Sequence, residues 1–334
     1  MEKLNDSLQK FFSKIARTRE LAILALMIMI MAGVSMRTSA FFTLNNFTDI
    51  LLDISMVSIV AIGQMLVMIT TGIDISVGSI LAVSAMSVGS IVRANPEVGP
   101  FAAIIIGILI GIALGSFNGF VITFMKIPPI ITTLGTLSFF RGLVYIISGG
   151  TWVMAHQLPD SIKEFSMQTT FGLPFLILFA LFLGILFYFF VNRIPIGRQI
   201  YALGCNYTAA VLAGIRVKLV NFMVYVISGS LAGIAGVMWL SRYAIAANGT
   251  ATGFELQTVA ACVIGGVSVF GGSGTIPGVF MGAFFIGMIN NAINLIGISE
   301  FWKQAFYGLA IILAVITDAI INNRLSRRKR NQAV

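Results

Sequence analysis

The chain has 334 residues, of which 58% are hydrophobic and only 10% charged, with a formal net charge of +9. Soluble domains carry about 25% charged residues, and no interior of this size hides so much apolar surface, so lipid must be the solvent for most of the chain. The basic residues lie dispersed between apolar runs, which argues against a nucleic-acid partner and makes the charge a guide to orientation.

In residues 1–20, Leu4, Leu8, Phe11 and Ile15 fall at helical spacing opposite the lysines. That pattern predicts a cytoplasmic amphipathic segment lying on the inner membrane surface. The segment is too long and too mixed in charge for a signal peptide. Residues 21–321 follow as the transmembrane domain, since about 20 apolar residues cross a bilayer and must do so as helices. Ten spans are predicted: Leu21–Ser39, Leu51–Thr70, Ile75–Val92, Phe101–Phe124, Ile127–Ser148, Phe171–Val191, Leu219–Ser241, Leu256–Phe270, Ile276–Ile296 and Tyr307–Ile321. The eighth is short and is expected to stop inside the protein. Residues 322–334 form a basic tail.

With a cytoplasmic N-terminus, 15 basic residues fall inside and five outside, the five being Arg37, Arg93, Lys163, Arg242 and Lys303; Arg141 stays within a span. The positive-inside rule therefore places both termini in the cytoplasm, and Trp152, Trp239 and Trp302 then fall near the outer interface, where indoles prefer to sit. The fold class is an all-α polytopic membrane protein of about ten transmembrane helices.

Two patterns suggest how the helices are arranged. Gly107, Gly111, Gly115 and Gly119 make a smooth stripe along the fourth span, and Gly229 with Gly233 and Gly278 with Gly282 repeat the device. Such stripes let helices approach closely in lipid. Asn46-Phe47, a long run and Gly72-Ile73-Asp74 are echoed by Asn221-Phe222, a run and Gly253-Phe254-Glu255. The echo is five spans on, an odd offset, which predicts two inverted five-helix halves of the kind transporters use.

Bond-breaking chemistry finds no support. No phosphate-cradling Gly-x-x-x-x-Gly-Lys-Ser/Thr occurs, and His156 is the sole histidine. Cys205 and Cys262 fall at different levels, so no disulfide is expected. Gly265 to Gly274 lacks a lysine and reads as a turn between spans. Asp74 falls at the cytoplasmic end of one helix and Glu255 near the outer end of another. Both fit helix-start caps; for Asp74, ion coupling is the competing role.

The loop 192–218 is basic, without an acid, and its centre reads as a short helix with Asn206 as N-cap and Gly214 as stop. Ala209, Ala210 and Gly214 would present a small face to a groove on another protein; an ordinary connector held by anionic lipid is the alternative. Gln64, Asn118, Asn290, Asn291 and Asn294 either line a pathway or hydrogen-bond a neighbouring helix.

Four stretches together resemble the permease subunits of ABC-type sugar importers, the group serving ribose, galactose, xylose, rhamnose and autoinducer-2. They are Gly72–Ser79; Lys126–Thr136 with Arg141-Gly142; Gly197–Asn206 followed by Ala209-Ala210 and Gly214; and Gly265–Gly274. The resemblance runs from about Phe42 to Asp318, with Pro129 departing from the Ala or Phe expected after Pro128. It implies a pair of permease subunits, the second being the same or paralogous. It also implies a cytoplasmic ABC ATPase holding ATP and magnesium, with no cofactor or metal on this chain, and an extracytoplasmic binding protein. On this view Asn206–Gly214 couples to the ATPase, while Arg37, Arg93, Lys163 and Arg242 are docking candidates for the binding protein. An ion-coupled secondary carrier and a passive channel are the alternative functions.

Overall fold

The computed structural model describes residues 19–299, 301–313 and 315–316. The amphipathic segment 1–20 falls almost wholly outside the described residues, and the tail 322–334 does so entirely. Among the described residues the chain is a helical bundle with seven helices long and apolar enough to cross a membrane. These are α2 (Leu44–Ile69), α3 (Val77–Ala94), α4 (Pro100–Thr123), α5 (Pro129–Ser148), α7 (Phe175–Arg193), α10 (Val217–Tyr243) and α12 (Ile276–Ile296). Three further apolar helices are shorter: α1 (Arg19–Ser35), α11 (Phe254–Ile264) and α13 (Phe301–Leu313). The remaining α-helices among the described residues are α6 (Asp160–Lys163), α8 (Pro195–Cys205) and α9 (Tyr207–Leu212), beside two short 3-10 helices, Ser39–Phe42 and Ala155–Gln157. A two-residue hairpin, β1 (Thr169–Thr170) with β2 (Leu173–Pro174), precedes α7. The sixth predicted span thus begins at Phe175 rather than Phe171, because Phe171 and Gly172 form the hairpin's turn, with φ of 54° and 80°.

Helix α2 is the axis of the bundle. Every residue from Ile54 to Thr70 is buried, because α7, α10, α11 and α12 all lie against it. Its start precedes the predicted Leu51, since the Thr43 hydroxyl caps the first turn by accepting from the Asn46 N–H. Helix α5 starts on Pro129, whose missing N–H costs nothing at the first helical position.

The glycine stripe packs as the spacing predicts. Helix α4 turns Gly107, Gly111, Gly115 and Gly119 inward and leaves Phe101, Ile105, Leu109, Phe117 and Phe120 facing outward. This inside-out pattern suits lipid, which solvates large apolar side chains but gives no force between helices beyond close packing. A Cβ on Gly111 would run into the Gly229 carbonyl, and one on Gly229 would come within 2.7 Å of the Gly115 Cα. Between α11 and α12 the same contact forms: a Cβ on Gly282 would fall 2.7 Å from the Gly265 nitrogen.

Two helices are interrupted. After α2 the chain runs non-helically from Thr70 to Ser76 before α3 begins. After α10, residues 244–253 form an irregular segment before α11, pinned by a bridge in which Val153 and Ala246 exchange backbone hydrogen bonds of 3.0 Å. Non-helical backbone at membrane depth is tolerated only where protein or a cavity satisfies it. Val153 and Ala246 are both buried.

Candidate functional site

The bundle has two distinct ends. One carries α8 and α9, and the other opens into a cavity. Between them lies a buried polar knot around Asp74.

Asp74 is fully buried, and its Oδ1 accepts from the Ser76 N–H at 2.9 Å and from the Ser76 hydroxyl at 2.6 Å. Asn118 of α4 donates to Ser76 Oγ at 2.8 Å, and the Thr133 hydroxyl of α5 donates to the Ile73 carbonyl at 3.1 Å. With its amide oriented to satisfy both ends, Gln64 of α2 donates to the Asp74 carbonyl at 3.0 Å and accepts from its N–H at 3.3 Å. The Tyr225 ring of α10 closes the knot, its hydroxyl lying where a Cβ on Gly72 would be. Gln64 and Asn118 therefore hold the break between α2 and α3; neither lines the cavity.

The second acid is close to the first. Glu255 is half-buried at the start of α11, and its Oε1 accepts from the Gly253 N–H at 3.2 Å. Its other oxygen rests on Gly78, only four residues beyond Asp74. This corrects the expectation that the acids mark opposite ends of the bundle. Helix α11 has 11 residues, about 16 Å against a hydrocarbon core of about 30 Å, and the irregular segment before it dips inward. The starts of α3 and α11 thus meet within the bundle, each with a carboxylate at its positive end. Arg141 of α5 lies within electrostatic reach of Glu255 and donates from Nη1 to the Thr250 carbonyl, which accounts for a cation inside a span.

The open end holds a cavity of about 1060 Å³ between α2, α10, α11, α12 and α13. Asn290, Asn291 and Asn294 line it, as do Asn46, Asp49 and Asp53 from α2. Asn291 and Asn46 exchange amide hydrogen bonds of 2.6 and 3.2 Å, and Tyr307 donates its hydroxyl to Asn290 Oδ1. Asn290 and Asn291 thus both line the cavity and bond across helices, while Asn294 lines it. Arg242 proves not to be a loop charge. Its side chain is 10% exposed, its Nη2 lies 2.7 Å from Asp53 Oδ1, and its guanidinium stacks on the Tyr243 ring at 4.9 Å. Arg242 is thus held in a pair at the cavity wall rather than standing free at the surface. Arg37 and Arg93 are exposed, and Lys163 is partly exposed and paired with Asp160 at 2.7 Å. The Asp53–Arg242 pair was missed because α2 and α10 are far apart in sequence, although an acid early in a span with an arginine late in another was a visible signal.

At the other end α8 and α9 form a docked unit. Asn206 caps α9 by accepting from the Ala209 N–H at 3.0 Å, and Gly214 ends it at φ 78°. Ala209 and Gly214 are exposed, but Ala210 is only 3% exposed and packs inward. The outward face belongs instead to Tyr207, Val211 and Leu212, with Leu212 84% exposed. The unit is latched to the bundle through the glycine-rich turn. Gly272 N–H donates to the Ile69 carbonyl at 2.9 Å, and the Tyr201 hydroxyl donates to the Gly274 carbonyl at 2.7 Å. Gly204 fits between Ile69 and Gly272 with no room for a side chain. Thus α8, the end of α2 and the turn between α11 and α12 converge on one junction.

Broken apolar helices meeting inside a bundle, a polar cavity at one end and a latched short helix at the other define a multi-pass membrane permease. Residues 46–315 match the family described as "Branched-chain amino acid transport system / permease component", and the chain belongs to that family. It is similar to the autoinducer 2 import system permease protein LsrC of Salmonella typhi, 31% identical over 318 residues, covering 95% of this chain and 90% of the relative. It is also similar to the D-allose transport system permease protein AlsC of Escherichia coli (strain K12), 37% identical over 301 residues and 90% of each chain. No solved structure matches the chain.

Proposed function

We propose that this chain is the membrane permease subunit of an ATP-driven ABC importer that carries a sugar or sugar-like solute handed over by an extracytoplasmic binding protein. The observation that carries the reading is α9. It is a capped helix of six residues, with Tyr207, Val211 and Leu212 turned outward next to a latched junction. Exposed apolar residues on a short docked helix fit a groove on another protein, and the relatives' import and transport titles favour an ATPase as that partner.

In this reading α9 couples to a cytoplasmic ABC ATPase, with Asn206 as the cap, Ala209 and Gly214 on the exposed side and Ala210 as the inward anchor. ATP and magnesium bind on the ATPase, and this chain binds no cofactor. The permease works as a pair with a second copy or a paralogue. Ten helices build the membrane domain, α1 and α13 among them and α11 ending inside it, in two inverted halves with both termini cytoplasmic. The two interrupted helices and their paired acids support the inversion. Residues 1–20 and 322–334 flank the transmembrane domain on the cytoplasmic face. Arg37, Arg93 and Lys163 face the binding protein outside.

The test is uptake by cells carrying the complete importer. Deleting residues 206–214 abolishes uptake while membrane insertion survives, and a reporter fused after Lys218 reads as cytoplasmic. Transport by the purified chain alone on an ion gradient would replace this reading with a secondary carrier. Passive flux without ATP would replace it with a channel.

A further inference from the structure

The cavity at the open end has more built chemistry than a smooth conduit needs. Its wall carries an acid and a base already bonded to each other, Asp53 and Arg242, and the Arg242 Nη1 remains buried without a partner. Beside them Trp239 forms an aromatic corner, 4.6 Å from the Tyr243 ring and 5.9 Å from Phe254. Asn294 lies on the facing wall.

We propose that this cavity is a weak but selective sugar-binding site within the permease itself, which chooses an uncharged polyol over a zwitterionic amino acid. The proposal rests on the importer reading and deepens it. A paired carboxylate and guanidinium, flanked by amides, offers acceptors and donors side by side, and each sugar hydroxyl is both donor and acceptor. Asp53 and Arg242 answer each other's charge, and the other charged groups of the wall, Asp49 and Lys303, are one acid and one base, so the cavity presents no net countercharge to an ammonium or a carboxylate. The aromatic corner supplies a flat apolar wall for the carbon face of a sugar ring. The volume of about 1060 Å³ exceeds what one monosaccharide fills, so water shares the site and binding stays weak enough for release. Selection then occurs twice, in the binding protein and again at the permease.

The test uses the permease pair with its ATPase subunits in nanodiscs, without binding protein, and follows tryptophan fluorescence as D-allose, D-ribose or L-leucine is added. The expected result is saturable quenching by at least one sugar in the millimolar range, none by L-leucine, and loss of the signal in Trp239→Phe. Arg242→Gln weakens sugar binding about tenfold, the scale of a charge-assisted hydrogen bond. If that variant does not fold, Asn294→Ala carries the test with an expected weakening of about threefold. Absence of saturable sugar quenching, equal binding of L-leucine, or unchanged binding in the variants overturns the proposal. Uptake by the complete wild-type importer separates the two claims. Sugar uptake without sugar binding in the nanodisc defeats only the permease site, whereas no ATP-dependent uptake of either sugar defeats the importer reading.

Discussion

Replacing Gly204 with Ala should disconnect ATP hydrolysis from transport while leaving the rest of the bundle folded. Gly204 is in the last turn of α8, where the added Cβ would lie 2.6 Å from the Gly272 nitrogen and 2.9 Å from the Ile69 carbonyl carbon, and closer still to the Ile69 oxygen. Ordinary contact begins at 3.4 Å, so the junction must open by 3.4 − 2.6, about 0.8 Å, relative to Gly272. That opening stretches the 2.9 Å bond from Gly272 N–H to the Ile69 carbonyl beyond hydrogen-bonding range. The lost bond costs about 1 kcal/mol and the overpacking about 1–3 kcal/mol. Better helix propensity returns about 1 kcal/mol. The net, about 1–3 kcal/mol, is concentrated where α8, α2 and the glycine-rich turn meet. One kcal/mol already changes a two-state population about fivefold, so sugar uptake per ATP hydrolysed should fall at least that much in proteoliposomes of the whole importer. Gly135→Ala is the control, because nothing lies within 4 Å of a Cβ there. Wild-type uptake per ATP in Gly204→Ala would refute the argument that force passes through this junction.

Two other substitutions probe the packing and the knot. Gly111→Ala drives a methyl into the Gly229 carbonyl and should lower the melting temperature of the purified permease by an amount matching about 1–3 kcal/mol; Gly142→Ala, with open space around it, should leave it unchanged. Asp74→Asn keeps an oxygen able to accept from the Ser76 N–H, so a loss of about 1 kcal/mol in stability is expected with the pH profile of transport unaltered. A transport pH profile that flattens in this variant would return Asp74 to proton coupling.

Seven of the ten predicted spans were legible as full-length helices because lipid imposes its own ruler. A helix must be about 20 apolar residues long to cross, and a run of that length stands out without knowledge of its neighbours. The α4 stripe was legible for a related reason, since close approach of two helices requires small residues at helical spacing on one face. Asn206 and Gly214 were legible because a cap acts within three residues of itself. Ala210 was not: the spacing put it on the same small face as Ala209, but which side of a six-residue helix faces inward depends on what α8 and α10 present to it.

What the sequence alone determined is therefore what the solvent and local backbone dictate, namely the class, the seven long spans, the glycine stripe and the cap and stop of α9. Tertiary structure alone decided where the polar groups meet. Gln64 and Asn118 became supports for the Asp74 break, Arg242 paired with Asp53, and Glu255 came to rest on Gly78, four residues from Asp74, when α11 proved too short to cross. Each of these pairings joins segments distant in the chain. In hydrocarbon a polar atom is held wherever a partner can satisfy it, and periodicity carries no record of which distant partner that will be.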